Sequence, residues 1–321
     1  MRRRNFLALM AGAVSWPKRA AAQIARPRRI GLMANLPLPP IQRFIRRLTQ
    51  LGYVEGNNIV IEYRFGEGRD DRFPAFAAEL VALPVEVIVV WGNPAAFAAK
   101  RATTTIPILI GAAGDVVNTG LIASVAHPES NLTGFVALNV ELEEKRVELL
   151  REVIPNLSRV AVLANSSNPL GRVNLDTVHR AAQRLGVTVE VFDARSSQDV
   201  GSALAEVKAS QPDAALVAAD TLLLSERRQI TQMMAASRIP AIYAFKEFSD
   251  AGGLLSYGAD LSVLFERAAD YLNRLLQGEK PGNLPVQQAT TFELIINLKA
   301  ASALGLTIPA NVLIQANEVI E

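Results

Sequence analysis

Cysteine is absent from this chain of 321 residues, which excludes disulfides, thiolate nucleophiles, cysteine-ligated metals and a lipid-bearing cysteine behind a leader. Histidine is scarce: His127 precedes Pro128 and His179 falls in a helical stretch, and neither sits in a Ser-His-Asp arrangement. Both are expected to be solvated surface side chains, with no catalytic residue and no metal. Phosphate loops are missing too, because the run 111–115 (Gly-Ala-Ala-Gly-Asp) lacks the Gly-Lys-Ser/Thr ending and the third glycine of a dinucleotide fingerprint. No cofactor is expected. Past the first residues, no uncharged apolar run reaches the roughly 20 residues that span a bilayer.

What is present begins with a leader-like order. Arg2, Arg3 and Arg4 precede an apolar stretch, 6–16, and Ala20, Ala21 and Ala22 stand before Gln23. A basic end, an apolar core and a small-residue site predict a secretory signal over 1–22, cleaved after Ala22. The run Arg3-Arg4-Asn5-Phe6-Leu7 also fits the twin-arginine pattern. A basic tail followed by a short helix is the plainer alternative. Residues 1–22 hold five basic side chains and no acid, so the net charge of +2 becomes −3 without them. Such a chain lacks the basic field of a nucleic-acid binder. A periplasmic location without a nucleic-acid partner is the expectation.

Half of the residues are hydrophobic, and at this length they can fill about two domains. Strand-like runs at 29–33, 59–63, 85–91 and 106–110 alternate with helical stretches at 41–51, 71–81, 94–101 and 119–126. The order then returns, with strands at 159–163, 187–192, 214–218 and 239–243 and helices at 170–185, 198–209 and 225–237. Punctuation repeats as well: Leu51-Gly52 matches Leu185-Gly186, and Ile106-Pro107 matches Ile239-Pro240. The alternation predicts an α/β fold of two doubly wound parallel-sheet lobes joined by a multi-segment hinge. A strand-like run, 253–257, leads into a helix at 261–276 that ends at Gly278. The tail offers a segment at 285–289, a helix near 294–304 and a last segment at 309–320. Lobe 1 is expected to be 28–135 with 258–285, lobe 2 136–257, and 286–321 a segment spanning both. Crossings are expected near 134–139, 256–258 and 285–290.

Ligands of open parallel sheets bind beyond the C-terminal strand ends, which here are loops 34–40, 92–96, 111–118, 165–170, 220–223 and 244–247. After Trp91 and Gly92, the run Asn93-Pro94-Ala95-Ala96 combines proline at a first helical position with small residues. That leaves backbone N–H groups open for a carboxylate; an ordinary Asn-capped helix is the other reading. Asp115 and Asp220 follow strands in equivalent halves and either accept an ammonium or hydroxyl group or cap the next helix. Trp91, Tyr243 and Phe245 either stack on a flat ligand or seal the core. Asn165 and Asn168 fit polar contacts or a turn, and Thr221 is a further candidate ligand contact. Arg43, Arg46 and Arg47 share one helix and read as a solvated basic face.

Several stretches carry a resemblance: 51–56 (Leu-Gly-Tyr-Val-Glu-Gly), 58–64 (Asn-Ile-Val-Ile-Glu-Tyr-Arg), 99–108 (Ala-Lys-Arg-Ala-Thr-Thr-Thr-Ile-Pro-Ile), 251–258 (Ala-Gly-Gly-Leu-Leu-Ser-Tyr-Gly) and 292–299 (Phe-Glu-Leu-Ile-Ile-Asn-Leu-Lys). Together they resemble the ABC transporter substrate-binding family that includes tryptophan- and other aromatic-amino-acid-binding proteins, from the leader to Glu321. The resemblance implies a type I periplasmic-binding-protein fold and a soluble monomer that captures a small solute. It also implies partners in an ABC permease and its ATPase, with contact to the membrane only through the permease. It makes Asn93 to Ala96 a carboxylate-binding helix start, with the Asp115 loop lining the same pocket. Two departures stand out: Gly114-Asp115-Val116-Val117 replaces the family's Gly-Asp-Pro-Val, and the loop 34–40 is shorter and poorer in Ser and Gly. An exported α/β enzyme with a bound cofactor is the competing class. A repressor's sensory lobes would need a DNA-binding head before Arg28, where the leader-like segment lies.

Overall fold

A computed structural model describes residues 26–125, 128, 131–137 and 139–321. The leader-like segment with its expected cleavage site, and His127, lie outside the described residues. Lobe 1 opens with β1 (Arg28–Ala34), α1 (Pro39–Gln50), β2 (Ile59–Phe65), α2 (Phe73–Ala82), β3 (Val87–Trp91), α3 (Asn93–Ala102), β4 (Ile108–Ala113) and β5 (Leu132–Val136). Lobe 2 follows with α4 (Asn139–Val153), β6 (Arg159–Ala164), α5 (Pro169–Leu185), β7 (Thr188–Asp193), α6 (Ser197–Ser210), β8 (Ala214–Val217), α7 (Thr221–Ser225), α8 (Arg227–Ala236), β9 (Ala241–Tyr243), α9 (Lys246–Asp250) and β10 (Leu255–Ala259). The chain closes with α10 (Leu261–Leu276), β11 (Gln287–Gln288), β12 (Phe292–Asn297), α11 (Leu298–Leu304), α12 (Ala310–Leu313) and β13 (Glu318–Ile320).

The strands form two sheets, ordered β2-β1-β3-β4-β5-β11 and β7-β6-β8-β9-β10-β12-β13. All pairings are parallel except β10 with β12. The first five strands of each sheet follow the same doubly wound path, so the duplication read from the punctuation is a duplication of topology. Strands such as β3 (Val-Ile-Val-Val-Trp) are buried along their whole length, as expected where helices cover both faces. Helix α1 buries Ile41, Phe44 and Leu48, one stripe at helical spacing, against α10. Each such side chain contributes about 1.5–3 kcal/mol when buried. Its basic face is paired rather than merely solvated: Arg43 meets Glu266 at 3.4 Å and Arg47 meets Asp270 at 2.8 Å, both acids on α10.

The chain passes between the sheets three times: from β5 to α4, at Asp260 between β10 and α10, and between β11 and β12. These crossings are tied together, Ala289 N donating to Val136 O at 2.8 Å and Asp260 N to Thr291 O at 3.0 Å. The second falls at Asp260 rather than within 256–258, because β10 stays in the lobe 2 sheet through Ala259.

Other expectations are corrected. No helix covers the described part of 119–126; Asp115 closes a turn there instead, and Gly120 takes φ +78. The stretch 225–237 is split at Glu226 into α7 and α8. The stretch 294–304 is strand β12 followed by α11, whose start Asn297 caps by accepting from Ala300 N at 3.0 Å. Helix α4 and strand β5 were not foreseen. Within α4, Glu143 and Arg146 are both fully buried and pair at 2.8 Å, while Arg146 Nε donates to Tyr257 O at 2.7 Å.

Candidate ligand-binding site

Strand order reverses between β1 and β3 in one sheet and between β6 and β8 in the other, and crevices form where it does. The two lobes face each other with these edges. From lobe 1 come Asn35, at the end of β1, and Gly92 and Asn93, after β3; from lobe 2 come Asn165 to Asn168, after β6, and Asp220 and Thr221, after β8. A narrow inner cavity, about 20 Å³, is lined among others by Trp91, Asn93, Gly114, Asn168, Thr221 and Phe245. An outer cavity of about 850 Å³ adjoins it at 93–94 and 167–169 and includes Asp70, Pro94, Ser167 and Ser197 in its wall. Its volume is in the range of small-molecule sites.

Gly92, not Asn93, holds the capping position of α3, with φ +87, a value glycine adopts without strain. A Cβ there would come 2.9 Å from Thr221 Cγ2 of the facing lobe. Asn93 is the first helical residue and Pro94 the second. Asn93 Oδ1 accepts from Gly114 N at 2.8 Å, and its Nδ2 is buried without a partner. The side chains of Ala95 and Ala96 pack in the lobe 1 core instead of the cleft, because the helix turns that face toward the sheet.

Asp220 is the best satisfied polar group of the cleft. Its Oδ1 caps α7, accepting from Leu222 N at 2.8 Å and Leu223 N at 3.0 Å, while Oδ2 accepts from Asn165 at 3.2 Å and Asn168 at 2.7 Å. All four acceptor positions of the carboxylate are thus used within lobe 2. Burial pushes its carboxyl up, against the four donors that favour the charged form. Asn168 also caps α5 through Leu170 N at 3.0 Å. Thr221 Oγ1 accepts from Asn35 Nδ2 at 3.0 Å across the cleft, which leaves its hydroxyl hydrogen to donate.

Asp115 lies outside both cavities. Its carboxylate holds its own turn, accepting from Val117 N at 3.1 Å and Asn118 N at 2.8 Å. Trp91 lines the inner cavity and meets Phe265 edge-on at 5.3 Å, so it serves both core and cleft. Tyr243 does not reach the cleft: its ring stacks on Phe248 at 4.6 Å and fills a notch at Gly253, where a Cβ would come 2.5 Å from Cε2. It borders a separate apolar cavity of about 340 Å³ within lobe 2. His179 is exposed on α5.

Two participants went unread in the sequence. Asn35 is the counterpart of Asn165, each following the alanine that ends the first strand of its sheet; that repeated Ala-Asn was a usable signal. Asp70 stands in a 3-10 turn, Asp70–Arg72, and accepts Asn35 Nδ2 at 2.8 Å. Burial first, then the facing Asp220 charge, pushes its carboxyl up to about 7. No pattern marked it.

Three comparisons bear on what such a cleft does. Residues 41–320 match the model of the family described as ABC transporter substrate binding protein. A tyrosine-binding protein of Clostridioides difficile (strain R20291) is 25% identical over 288 residues, 88% of this chain and 82% of that protein. Among solved structures, a conserved domain protein of Vibrio cholerae superposes with a TM-score of 0.86 at 28% identity, covering 92% of this chain and 100% of its own. The ABC domain of Streptococcus pneumoniae in complex with L-Trp superposes with 0.84 at 26% identity and the same coverage. With the family model matching most of its length and the two-lobed α/β architecture shared, the chain belongs to the ABC transporter substrate-binding proteins, a family that captures solutes and is not catalytic.

Proposed function

We propose that the protein is exported, captures a small carboxylate-bearing solute between its lobes and delivers it as a monomer to an ABC importer's permease and ATPase. The solute is an amino acid or an aromatic compound. The observation that carries this reading is the buried, unpartnered Nδ2 of Asn93 at the first turn of α3, bordering the inner cavity beside the Thr221 hydroxyl. A donor with no acceptor at a positive helix end suits an anion. Relatives described as tyrosine-binding and as holding L-Trp support the solute class. The three tied crossings support a hinge about which lobes 28–135 with 258–285 and 136–257 part and close. Export is supported by the order of basic, apolar and small residues over 1–22, and among the described residues no helix is long and apolar enough to cross a membrane.

A melting screen tests the reading, since a solute at about a hundred times its dissociation constant adds roughly 2.7 kcal/mol of stability. L-tyrosine, L-tryptophan and branched amino acids are expected to raise the melting temperature, and tyramine and tryptamine, which lack the carboxylate, are not. Asn93→Asp keeps the acceptor for Gly114 N and removes the Nδ2 donor, so it should abolish the shift. Equal shifts with and without the carboxylate, or an Asn93→Asp variant that binds like the parent, would overturn the reading. N-terminal sequencing of periplasmic protein should begin at Gln23; protein that starts at Met1 in the cytosol contradicts export.

A further inference from the structure

Among the described residues none donates to Asp70 Oδ2, which is buried. Asn35 Nδ2 spends its two hydrogens on Asp70 Oδ1 at 2.8 Å and Thr221 Oγ1 at 3.0 Å. That fixes the Asn35 amide, whose own oxygen is turned to Gly66, where a Cβ would come within 2.4 Å. Asp70 Oδ2 is left buried with no donor, in a residue that lines the outer cavity. The basic side chains closest in sequence are engaged elsewhere: Arg69 with Asp71 at 2.8 Å and Arg72 with Glu67 at 3.0 Å. Asp220, whose charge acts on Asp70 from the facing lobe, has its acceptor positions filled from lobe 2. A buried carboxylate oxygen without a donor is rarely kept in a folded protein. Among the described residues no group of three or more His, Cys, Asp or Glu side chains could hold a metal ion, and the ammonium of a solute in the outer cavity is a donor of the right charge for this oxygen.

We propose that Asp70 Oδ2 receives the protonated amine of the bound solute, which makes the protein selective for amine-bearing carboxylic acids over amine-less acids of the same shape. The inference rests on the carboxylate-solute reading above and sharpens it to a second anchor. Asn93 serves the carboxylate and Asp70 the ammonium, which an α-amino acid carries on one carbon, so the solute sits where the inner and outer cavities adjoin. The raised carboxyl of Asp70 fits this role, because an arriving ammonium favours its charged form. The neutral Asp70 carboxyl gives up its proton to solvent as the ion pair forms, so binding near pH 7 releases protons.

Calorimetry on the full-length mature protein tests the proposal with L-tyrosine, L-tryptophan and L-leucine. Each is paired with its amine-less acid: 3-(4-hydroxyphenyl)propionate, indole-3-propionate and 4-methylpentanoate. The parent is expected to bind at least one amino acid about tenfold or more tightly than its amine-less partner. Asp70→Asn should bring that pair within about threefold by weakening the amino acid alone. Equal affinity within every pair in the parent, or a variant that weakens both members alike, overturns the proposal. Binding of amine-less acids alone sinks it while leaving the carboxylate reading standing; binding of no member sinks both. A second measurement needs no variant: the parent's binding enthalpy at pH 7 should differ between buffers of high and low ionisation enthalpy in the sense of proton release. Identical enthalpies contradict the role given to Asp70.

Discussion

Asp115, after β4 of lobe 1, and Asp220, after β8 of lobe 2, both follow strands and do different work. Asp115 holds an exposed turn, whereas Asp220 gathers four donors in the cleft wall. Asp115→Ala should therefore cost about 1 kcal/mol of stability, the value of a lost cap, and leave affinity intact. Asp220→Ala strands the buried amides of Asn165 and Asn168 as well and should cost about 2–4 kcal/mol, read by urea denaturation. Ionisation adds a pH dependence. Asp70 and Glu293 both have their carboxyls raised to about 7, chiefly by burial, so the folded state holds protons that the unfolded chain gives up near pH 4. Stability then falls as pH rises from about 4 through about 7, and flattens above. The melting temperature should be higher at pH 5.5 than at pH 7.5, and Asp70→Asn with Glu293→Gln should shrink the difference. Residues directly after strands, such as Asn93, Asn165 and Asp220, could be named from sequence because strand ends fix where they stand. Asp70 could not, since only the folding of the loop after β2 brings it to Asn35. Which of its two roles Tyr243 takes could not be read, because a strand-end position does not tell which notch a ring will fill, and Gly253 supplies one on the far side.

The start of α5 is one place where the lobes meet closely. Leu170 there presses on Gly114 beyond β4, where a Cβ would lie 2.2 Å from Leu170 Cδ2. Gly114 has no positive φ, so alanine is compatible with its backbone, and the three atoms nearest to a Cβ there all belong to Leu170 of the facing lobe. Gly114→Ala is expected to weaken binding about tenfold, the effect of roughly 1.4 kcal/mol of overpacking where the lobes meet. Leu170→Ala in the same chain should recover most of the loss; additive losses in this double-mutant cycle would show that the two side chains do not meet in the bound state. Strongly apolar elements were legible, as α10 shows, with its predicted bounds 261–276 matching the helix. Helix α4 was not, because Glu143 and Arg146 are buried beside Leu142, Val147, Leu149, Leu150 and Val153 and interrupt its apolar stripe. Strand β12 passed for the start of a helix because Leu294, Ile295 and Ile296 are buried in succession, a run without a period.

At the scale of the whole molecule, two like lobes present the same strand ends to each other. The repeated Leu-Gly and Ile-Pro punctuation was enough to see the duplication, and the reversal of strand order in each half then placed the cleft. What sequence could not supply was the third dimension of the hinge, where Ala289 and Thr291 bind the other two crossings. The central claim is that solute is held between the lobes, with its carboxylate at the start of α3. The most direct test is a crystal structure of the protein with whichever amino acid raises its melting temperature most. The account predicts the ligand between Asn93 and Thr221, its carboxylate within hydrogen-bonding distance of Asn93 Nδ2. A ligand seated instead in the apolar cavity beside Tyr243 in lobe 2, with the cleft unoccupied, would contradict it.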